Sequence, residues 1–394
     1  MNIDTDLLIV GGGMAADRLL GNLLDLGYDG NIALASAETD VGYNRVLLPS
    51  FLAGATDAET LFVTSQKWRR DPKVQVFSGC EISSIDLERR HAFSDQHTFS
   101  FSKIVFATGS SVNYPELEGI DLHGVVALRN LSEARALQFL DEQRILVLGG
   151  GLLGLEAADA LAQRGHSVHV AHRGQHLMNR QIDPISGAKL TEALECKGIE
   201  VSCSAHVTKL VGTDRVEQAF FSDRRIENVD IVLVATGVRP QTQLAAEAGL
   251  ECGHGIRVDH HLCTPRDGVY AVGECADVAG ASQSLVEIVN RQADVLARTI
   301  CHQQHEFVAT VCGTHLKVDG LELYAIGETS QASSEDLVIE DKSQGVYRHL
   351  FLKEGRFVGS VLLGDTQGAR SLAESVGRVV DRNELEHLAF GVAA

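Results

Sequence analysis

Apolar and polar positions alternate along the chain in a way that divides it into repeated strand, turn and helix units. An apolar run, Leu7 to Val10, follows Asp6 and stops at Gly11-Gly12-Gly13; Leu19, Leu20 and Leu23 then recur at helical spacing within Asp17 to Leu26, and a second apolar run covers Asn31 to Ser36. Short apolar runs bounded by glycine predict buried strands, and the 3.6-residue period between them predicts an amphipathic helix. The same order returns 138 residues later, counted from Gly11 to Gly149: Arg144-Ile-Leu-Val-Leu, Gly149-Gly150-Gly151, a helical stretch from Leu155 to Gln163, then Ser167-Val-His-Val-Ala. Each copy is followed by an apolar strand ending in Ala-Thr-Gly, at Ile104 to Gly109 and at Ile231 to Gly237. The chain therefore reads as a duplicated βαβ architecture, the doubly wound α/β pattern.

Beyond Arg239-Pro240 the pattern predicts a helix over 243–248, a strand around 255–259, the apolar run Val269 to Glu274 and a helix over 285–302. From about Thr310 the period changes to two, in Thr314 to Gly327, Gly345 to Leu352 and Arg356 to Gly364. Alternation of that kind predicts a small antiparallel sheet, closed by a helix near 367–380. The expected fold is α/β, with two Rossmann-like dinucleotide-binding domains and a C-terminal α+β interface domain.

Composition narrows the function. At about 150 residues per domain, 394 residues make two to three domains, and 44% hydrophobic residues with a mean hydropathy of +0.02 fit a globular chain. Lys and Arg number 34 against 53 Asp and Glu, a net charge of −19. Such an excess repels phosphate backbones and anionic lipid surfaces, so neither nucleic acid nor a membrane is expected as partner. No leader-like or membrane-length apolar segment is present, and the eight cysteines include no C-x-x-C pair. A reduced cytoplasmic protein is expected. Cys301, His302, His305 and Cys312 lie close in sequence, but metal ligands of this kind usually come as two clean pairs. They read as a polar helix end, and no metal is expected.

The glycines carry the chemistry. In Gly11-x-Gly13-x-x-Ala16 the first glycine permits a tight turn, the second lets a pyrophosphate approach the backbone, and small Ala16 lets the helix pack on the sheet. The helix start offers unpaired N–H groups and its positive dipole end to phosphate. Glu38 follows the second strand, where a carboxylate can accept both hydroxyls of a ribose. The second copy reads Gly149-x-Gly151-x-x-Gly154-x-Glu156, and its ribose position is His172 followed by Arg173. A cation there suits a 2′-phosphate, so NADH and NADPH both stay open, as does the reading of Arg173 as a solvated surface charge.

Taken together, these motifs resemble the FAD-dependent pyridine nucleotide-disulfide oxidoreductase superfamily, and within it the flavoprotein part of NAD(P)H nitrite reductase large subunits and NADH:rubredoxin reductases. The resemblance rests on GGGMAA, Tyr43-NRVLLPSFLAG, Phe106-ATGS, GGGLLGLEAA, Leu177-MNRQID, Val234-ATGVRP, Val269-YAVGECAD, the Thr314 to Gly327 stretch and Val361-LLGD, in that order along nearly the whole chain. It implies FAD in segments 1–112 and 241–310, NADH or NADPH in segment 113–240, and a C-terminal domain over 311–394. On this resemblance Gly11, Gly13, Ala16 and Glu38 hold the adenosine and pyrophosphate of FAD, Arg45 lies along the flavin, Thr108 and Gly109 close the first Ala-Thr-Gly turn, and Arg129 lies near the pyrophosphate. Gly273 and Glu274 stand in the second FAD motif, where a carboxylate accepts a ribityl hydroxyl. Gly149, Gly151, Gly154, His172, Arg173 and Gly237 frame the nicotinamide nucleotide. Glu156 is the candidate catalytic group, although relatives pair it with a lysine at the position of Ser50.

Disulfide-reducing relatives place cysteines between positions 41 and 54, and this chain has none there. The expected electron acceptor is therefore a separate redox protein: a rubredoxin, a ferredoxin-type protein or a nitrite or nitrate reductase subunit. Full nitrite reductase large subunits continue into cysteine-rich cluster regions, so this chain is not expected to reduce nitrite alone. A flavin-binding redox sensor or scaffold and an NADH oxidase are the alternatives, and a homodimer stays open. Docking an acidic acceptor would require a basic patch from residues such as Arg45, Arg291 and Arg298.

Overall fold

The computed structural model describes residues 1–62, 67–278, 285–303, 305–330 and 335–390. The chain forms two compact units, the first made of 1–47, 56–111 and 238–310, the second of 48–55, 112–237 and 311–394.

In the first unit the strands Val74–Ser78, Ile32–Ser36, Asn2–Val10 and Thr98–Phe106 run in that order and in parallel. Val269–Ala271 adds a further parallel strand on Thr98–Phe106, and the hairpin Ser84–Asp86 and His91–Phe93 extends the sheet antiparallel. Leu7, Leu8, Ile9, Leu34, Ile104, Val105 and Phe106 are wholly buried, which explains why these strands read as unbroken apolar runs: a parallel sheet is covered on both faces. Helices Met14–Asp25 and Val286–Ile300 pack together, and Asp294 takes a hydrogen bond from Arg18 Nε at 2.7 Å.

The second unit repeats the arrangement with parallel strands Glu200–Ser202, Ser167–Ala171, Arg144–Leu148, Ile231–Val234 and Val125–Val126. A three-stranded antiparallel sheet, Val207–Val211, Gln218–Phe221 and Ile226–Asn228, buries Leu210, Ala219 and Phe221 against Leu146, Val232 and Val234. Residues 314–363 form the expected antiparallel sheet, in the order Thr314–Val318, Leu321–Gly327, Arg356–Leu363, Val346–Lys353, Leu337–Asp341. Its core is Leu350, Phe357, Leu362, Leu372 and Leu385.

Element limits differ from expectation in instructive places. Both glycine-turn helices start earlier, at Met14 and Leu152, because Gly13 and Gly151 are themselves the extended N-cap residues and neither helix has a side-chain cap. The single helix expected over 367–380 is two: Ala369–Ser375, a break at Gly377 with φ +88°, and Arg382–Ala389, which Asp381 caps by accepting the Glu384 N–H at 2.8 Å.

The duplication holds at the level of single hydrogen bonds. Gly11 N–H donates to Ala35 O at 2.8 Å and Gly149 N–H to Ala171 O at 2.9 Å; Ala107 N–H donates to Val10 O and Ala235 N–H to Leu148 O, at 2.8 and 2.9 Å. Both first glycines are left-handed, with φ of +107° and +122°. A Cβ on Gly154 would lie 2.1 Å from Gly149 O, and backbone cannot retreat as a flexible side chain could. Gly154→Ala is therefore expected to lower stability by about 1–3 kcal/mol, read from chemical denaturation midpoints. A loss below about 0.5 kcal/mol, the range of ordinary surface substitutions, would contradict the close packing.

Candidate functional site

The first glycine turn has one closed side and one open side. A Cβ on Gly11 would meet Ala107 O at 2.2 Å, whereas the same atom on Gly13 would find nothing nearer than the Arg45 guanidinium at 3.8 Å. Ala16 is wholly buried beneath the turn, as its small size requires. Arg45 forms an ion pair with Glu38, and Tyr43 Oη donates to the other Glu38 oxygen at 2.8 Å. The Arg45 guanidinium also lies over the Tyr43 ring, 5.0 Å from its centroid. Glycine turn, cation and carboxylate thus stand together, as a pyrophosphate followed by a ribose would require.

Two further groups of this unit were named from sequence. Thr108 Oγ1 donates to Gln241 O at 2.7 Å, and Gly109, left-handed at φ +67°, has open space where a Cβ would be. Ser110 Oγ donates to Glu274 Oε2 at 2.6 Å, and Gly273, whose N–H donates to buried Gln292, sits so close to the first helix that a Cβ would lie 2.9 Å from that of Ala15. Tyr43, Ser110 and Gln292 were not singled out as site residues. Tyr43 and Ser110 do lie inside quoted motifs, but nothing local marks Gln292, which reaches Gly273 from a helix 19 residues on.

In the second unit the turn is again closed under Gly149, where a Cβ would meet Ala235 O at 2.3 Å, and open at Gly151 and Gly237. His172 is a brace of this turn: its Nδ1 accepts the Gly150 N–H at 3.1 Å and its Nε2 faces Asn179 Oδ1 at 3.1 Å. Burial lowers the His172 pKa, so the neutral ring donates from Nε2 to Asn179. The exposed cation at this end is Arg173. Arg129 precedes helix Leu131–Gln138, and its backbone N–H donates to Glu133 at 2.6 Å.

Glu156 lies one turn into the helix that follows the second glycine turn. Its Oε1 accepts the backbone N–H of Lys317 at 3.1 Å, a contact spanning 161 residues that no local pattern announces. Burial, only partly offset by Lys317, raises its pKa from the ordinary 4.5 to about 7. One helical turn on, buried Asp159 accepts the Asp319 N–H at 2.9 Å and pairs with Lys197 at 3.1 Å.

The expected basic patch is not built of free cations. Arg45 is committed to Glu38 and Arg291 to Glu287, while Arg298 donates to Gln303. Arg45 and Arg291 meet carboxylates seven and four residues away in sequence. Among the described residues no group of three or more His, Cys, Asp or Glu side chains could hold a metal ion. Gln304, inside the Cys301 to His305 run, lies outside the described residues.

The folds and turns define a class of protein with two Rossmann-type dinucleotide-binding folds and a C-terminal α+β domain. The chain belongs to the pyridine nucleotide-disulphide oxidoreductase family, which residues 5–295 match, and residues 313–378 match the rubredoxin NAD+ reductase C-terminal domain. It is similar to the NAD(P)H nitrite reductase of Bacillus subtilis, with 32% identity over 390 residues that cover 98% of this chain and 48% of that protein. With the rubredoxin-NAD(+) reductase of Pseudomonas putida it shares 30% identity over 306 residues, 75% of this chain and 80% of that protein. The reductase in the covalent putidaredoxin reductase–putidaredoxin complex has the same fold, at a TM-score of 0.87 and 20% identity over 98% of both chains. The chain spans about half the length of the nitrite reductase relatives it matches. Enzymes of this family use FAD and NAD(P)H.

The Glu156 environment gives a pH signature. Between pH 4.5 and 7 the unfolded chain releases a proton that the folded chain keeps, so stability falls as pH rises through that window and levels off above it. Glu156→Gln keeps an acceptor for Lys317 and removes the titration. It is expected to lose that slope and to exceed wild type above pH 7 by about 1–3 kcal/mol in urea denaturation; equal slopes for the two proteins would overturn the assignment.

Proposed function

We propose that this chain is an FAD-dependent NAD(P)H oxidoreductase that passes electrons to a separate redox protein. The observation that carries this reading is the pair of glycine turns, each closed against a strand carbonyl on one side and open on the other, in a chain of this family. The relatives' names add the direction of flow: one is the electron transfer subunit of an assimilatory nitrate reductase, another a rubredoxin reductase. Absence of cysteine between positions 41 and 54 favours an acceptor outside the chain, since dithiol chemistry needs a thiolate against the flavin. A rubredoxin, a ferredoxin-type protein or a nitrite or nitrate reductase subunit fits.

In this reading segments 1–112 and 241–310 hold FAD, segment 113–240 holds NADH or NADPH, and 311–394 is the C-terminal domain. Gly13 leaves room for the pyrophosphate on the turn that Gly11 and Ala16 let close against the strand and helix, and the N–H groups at the start of the helix at Met14 suit its charge. Arg45 balances its charge while holding Glu38, with Tyr43, in the orientation that accepts ribose hydroxyls. Ser110 fixes Glu274 to accept a ribityl hydroxyl, and Thr108 and Gly109 keep an adjacent backbone approach open. Gly149, Gly151, Gly154 and Gly237 do for the nicotinamide nucleotide what the first turn does for FAD, with His172 stiffening the turn and Arg173 available to a 2′-phosphate. Bound FAD supplies a ring that accepts hydride from NAD(P)H and hands the electrons on. The chain's part is to bind, orient and exclude water. Glu156, with its pKa raised to about 7, is shared between its neutral and ionised forms at neutral pH and lies one turn into the helix that follows the nucleotide turn. Eight cysteines with no C-x-x-C pair among them suit a reduced cytoplasmic setting, and no described helix is long and apolar enough to cross a membrane.

Anaerobic stopped-flow mixing of the FAD-loaded protein with NADH and with NADPH is expected to bleach the flavin absorbance with at least one of them. Oxidised rubredoxin, ferredoxin or a nitrite reductase preparation should then restore the colour faster than dissolved oxygen does. No bleaching with either nucleotide would sink the proposal, and reoxidation fastest by oxygen would favour an oxidase.

A further inference from the structure

The two glycine turns are braced in equivalent ways by different residues. In the first, Gly42 N–H donates to Gly12 O at 2.8 Å, and in the second Met178 N–H donates to Gly150 O at 2.8 Å. Both bracing residues are left-handed, Gly42 at φ +67° and Met178 at φ +49°. Glycine takes that conformation freely, but a side chain resists it. A buried methionine held there needs surroundings that fix the loop.

Those surroundings come from the C-terminal sheet of the same unit. Five residues after Met178, Asp183 caps helix Pro184–Glu195 by accepting the N–H groups of Ile185 and Ser186 at 2.9 and 3.2 Å. Its other oxygen lies 3.4 Å from His349 Nδ1, while His349 Nε2 lies 3.2 Å from Asp336 Oδ2; the three side chains are 1%, 2% and 4% exposed, in the order Asp183, His349, Asp336. Burial alone would raise the Asp183 carboxyl, yet the bonds from His349 and Ser186 hold it down at about 2. His349 is stacked on Phe351 with centroids 3.9 Å apart, and Asp336 is fixed in turn by the Leu352 N–H at 2.8 Å. A second, separate contact reaches the same loop: buried Thr329 donates from Oγ1 to Gln181 O at 2.7 Å.

We infer that His349 and Thr329 are positioning residues for the nicotinamide nucleotide: through Asp183 and Gln181 they hold loop 178–183 so that Met178 keeps the Gly150 turn in its binding shape. The C-terminal domain thereby acts on nucleotide affinity without touching the nucleotide. This deepens the reading of the second turn as the NAD(P)H site and rests on it.

The test uses the FAD-loaded full chain with Thr329→Val, which preserves shape, and His349→Gln, which removes the ring and its contacts with both Asp183 and Asp336. Anaerobic reduction at a series of NADH and NADPH concentrations separates the half-saturating concentration from the limiting rate. Both variants are expected to raise the half-saturating concentration by about three- to tenfold, with the limiting rate within about twofold and FAD content unchanged. Trypsin should also cut faster after exposed Arg180, inside the loop, and not elsewhere. An unchanged half-saturating concentration in Thr329→Val, or FAD loss and general proteolysis in step with weaker binding, would overturn the inference. Should wild type fail to bleach with either nucleotide, the functional reading fails instead, and calorimetric NAD(P)H binding with the Arg180 cleavage rate still decides on the clamp.

Discussion

Everything at the two candidate sites depends on how closely a strand carbonyl can approach the start of a helix. At Gly11 and Gly149 the space a Cβ would fill belongs to Ala107 O and Ala235 O. That approach fixes where the following helix begins and which way its unpaired N–H groups point. It also brings the Ala-Thr-Gly segments beside the turns, so motifs 96 and 86 residues apart in sequence, counted from Gly11 to Ala107 and from Gly149 to Ala235, become one surface in space. The small residue three positions beyond the second glycine completes the fit: Ala16 is wholly buried in one copy, and Gly154 is pressed against Gly149 O in the other.

Around this shared frame the two units spend their polar groups differently. In the first, Glu38 faces both a cation and a phenol, and Glu274 receives a hydroxyl, so each carboxylate is held in place by donors. In the second, His172 turns inward and accepts the Gly150 N–H of the glycine turn, and Glu156 has a backbone amide as its hydrogen-bond donor. Burial beside a single amide lets Glu156 keep its proton to higher pH than an exposed carboxyl would.

The C-terminal sheet is tied to the second unit's helices by buried or partly buried polar contacts rather than by apolar packing alone. Asp159 with Lys197 and the Asp319 N–H, Asp183 with His349 and Asp336, and Lys189 with Glu340 form a row of such ties. Polar ties of this kind are directional, so they fix a register where apolar surfaces could slide. Arg45 and Arg291 likewise face carboxylates, Glu38 and Glu287.

By itself the sequence determined the duplicated βαβ units, the glycine turns, the Ala-Thr-Gly strands and the alternating C-terminal sheet. Each follows from short-range rules: buried parallel strands read as apolar runs, and a left-handed turn reads as glycine. Gly11 and Gly149 take left-handed turns, and Gly13 and Gly151 are the extended N-cap residues of the helices that follow. Only the tertiary structure decided that His172 faces inward, that Glu156 meets Lys317 across 161 residues, and that Met178 takes a conformation usually left to glycine. Those outcomes depend on desolvation and on partners brought together by the folded chain, and neither is encoded in the spacing of neighbours.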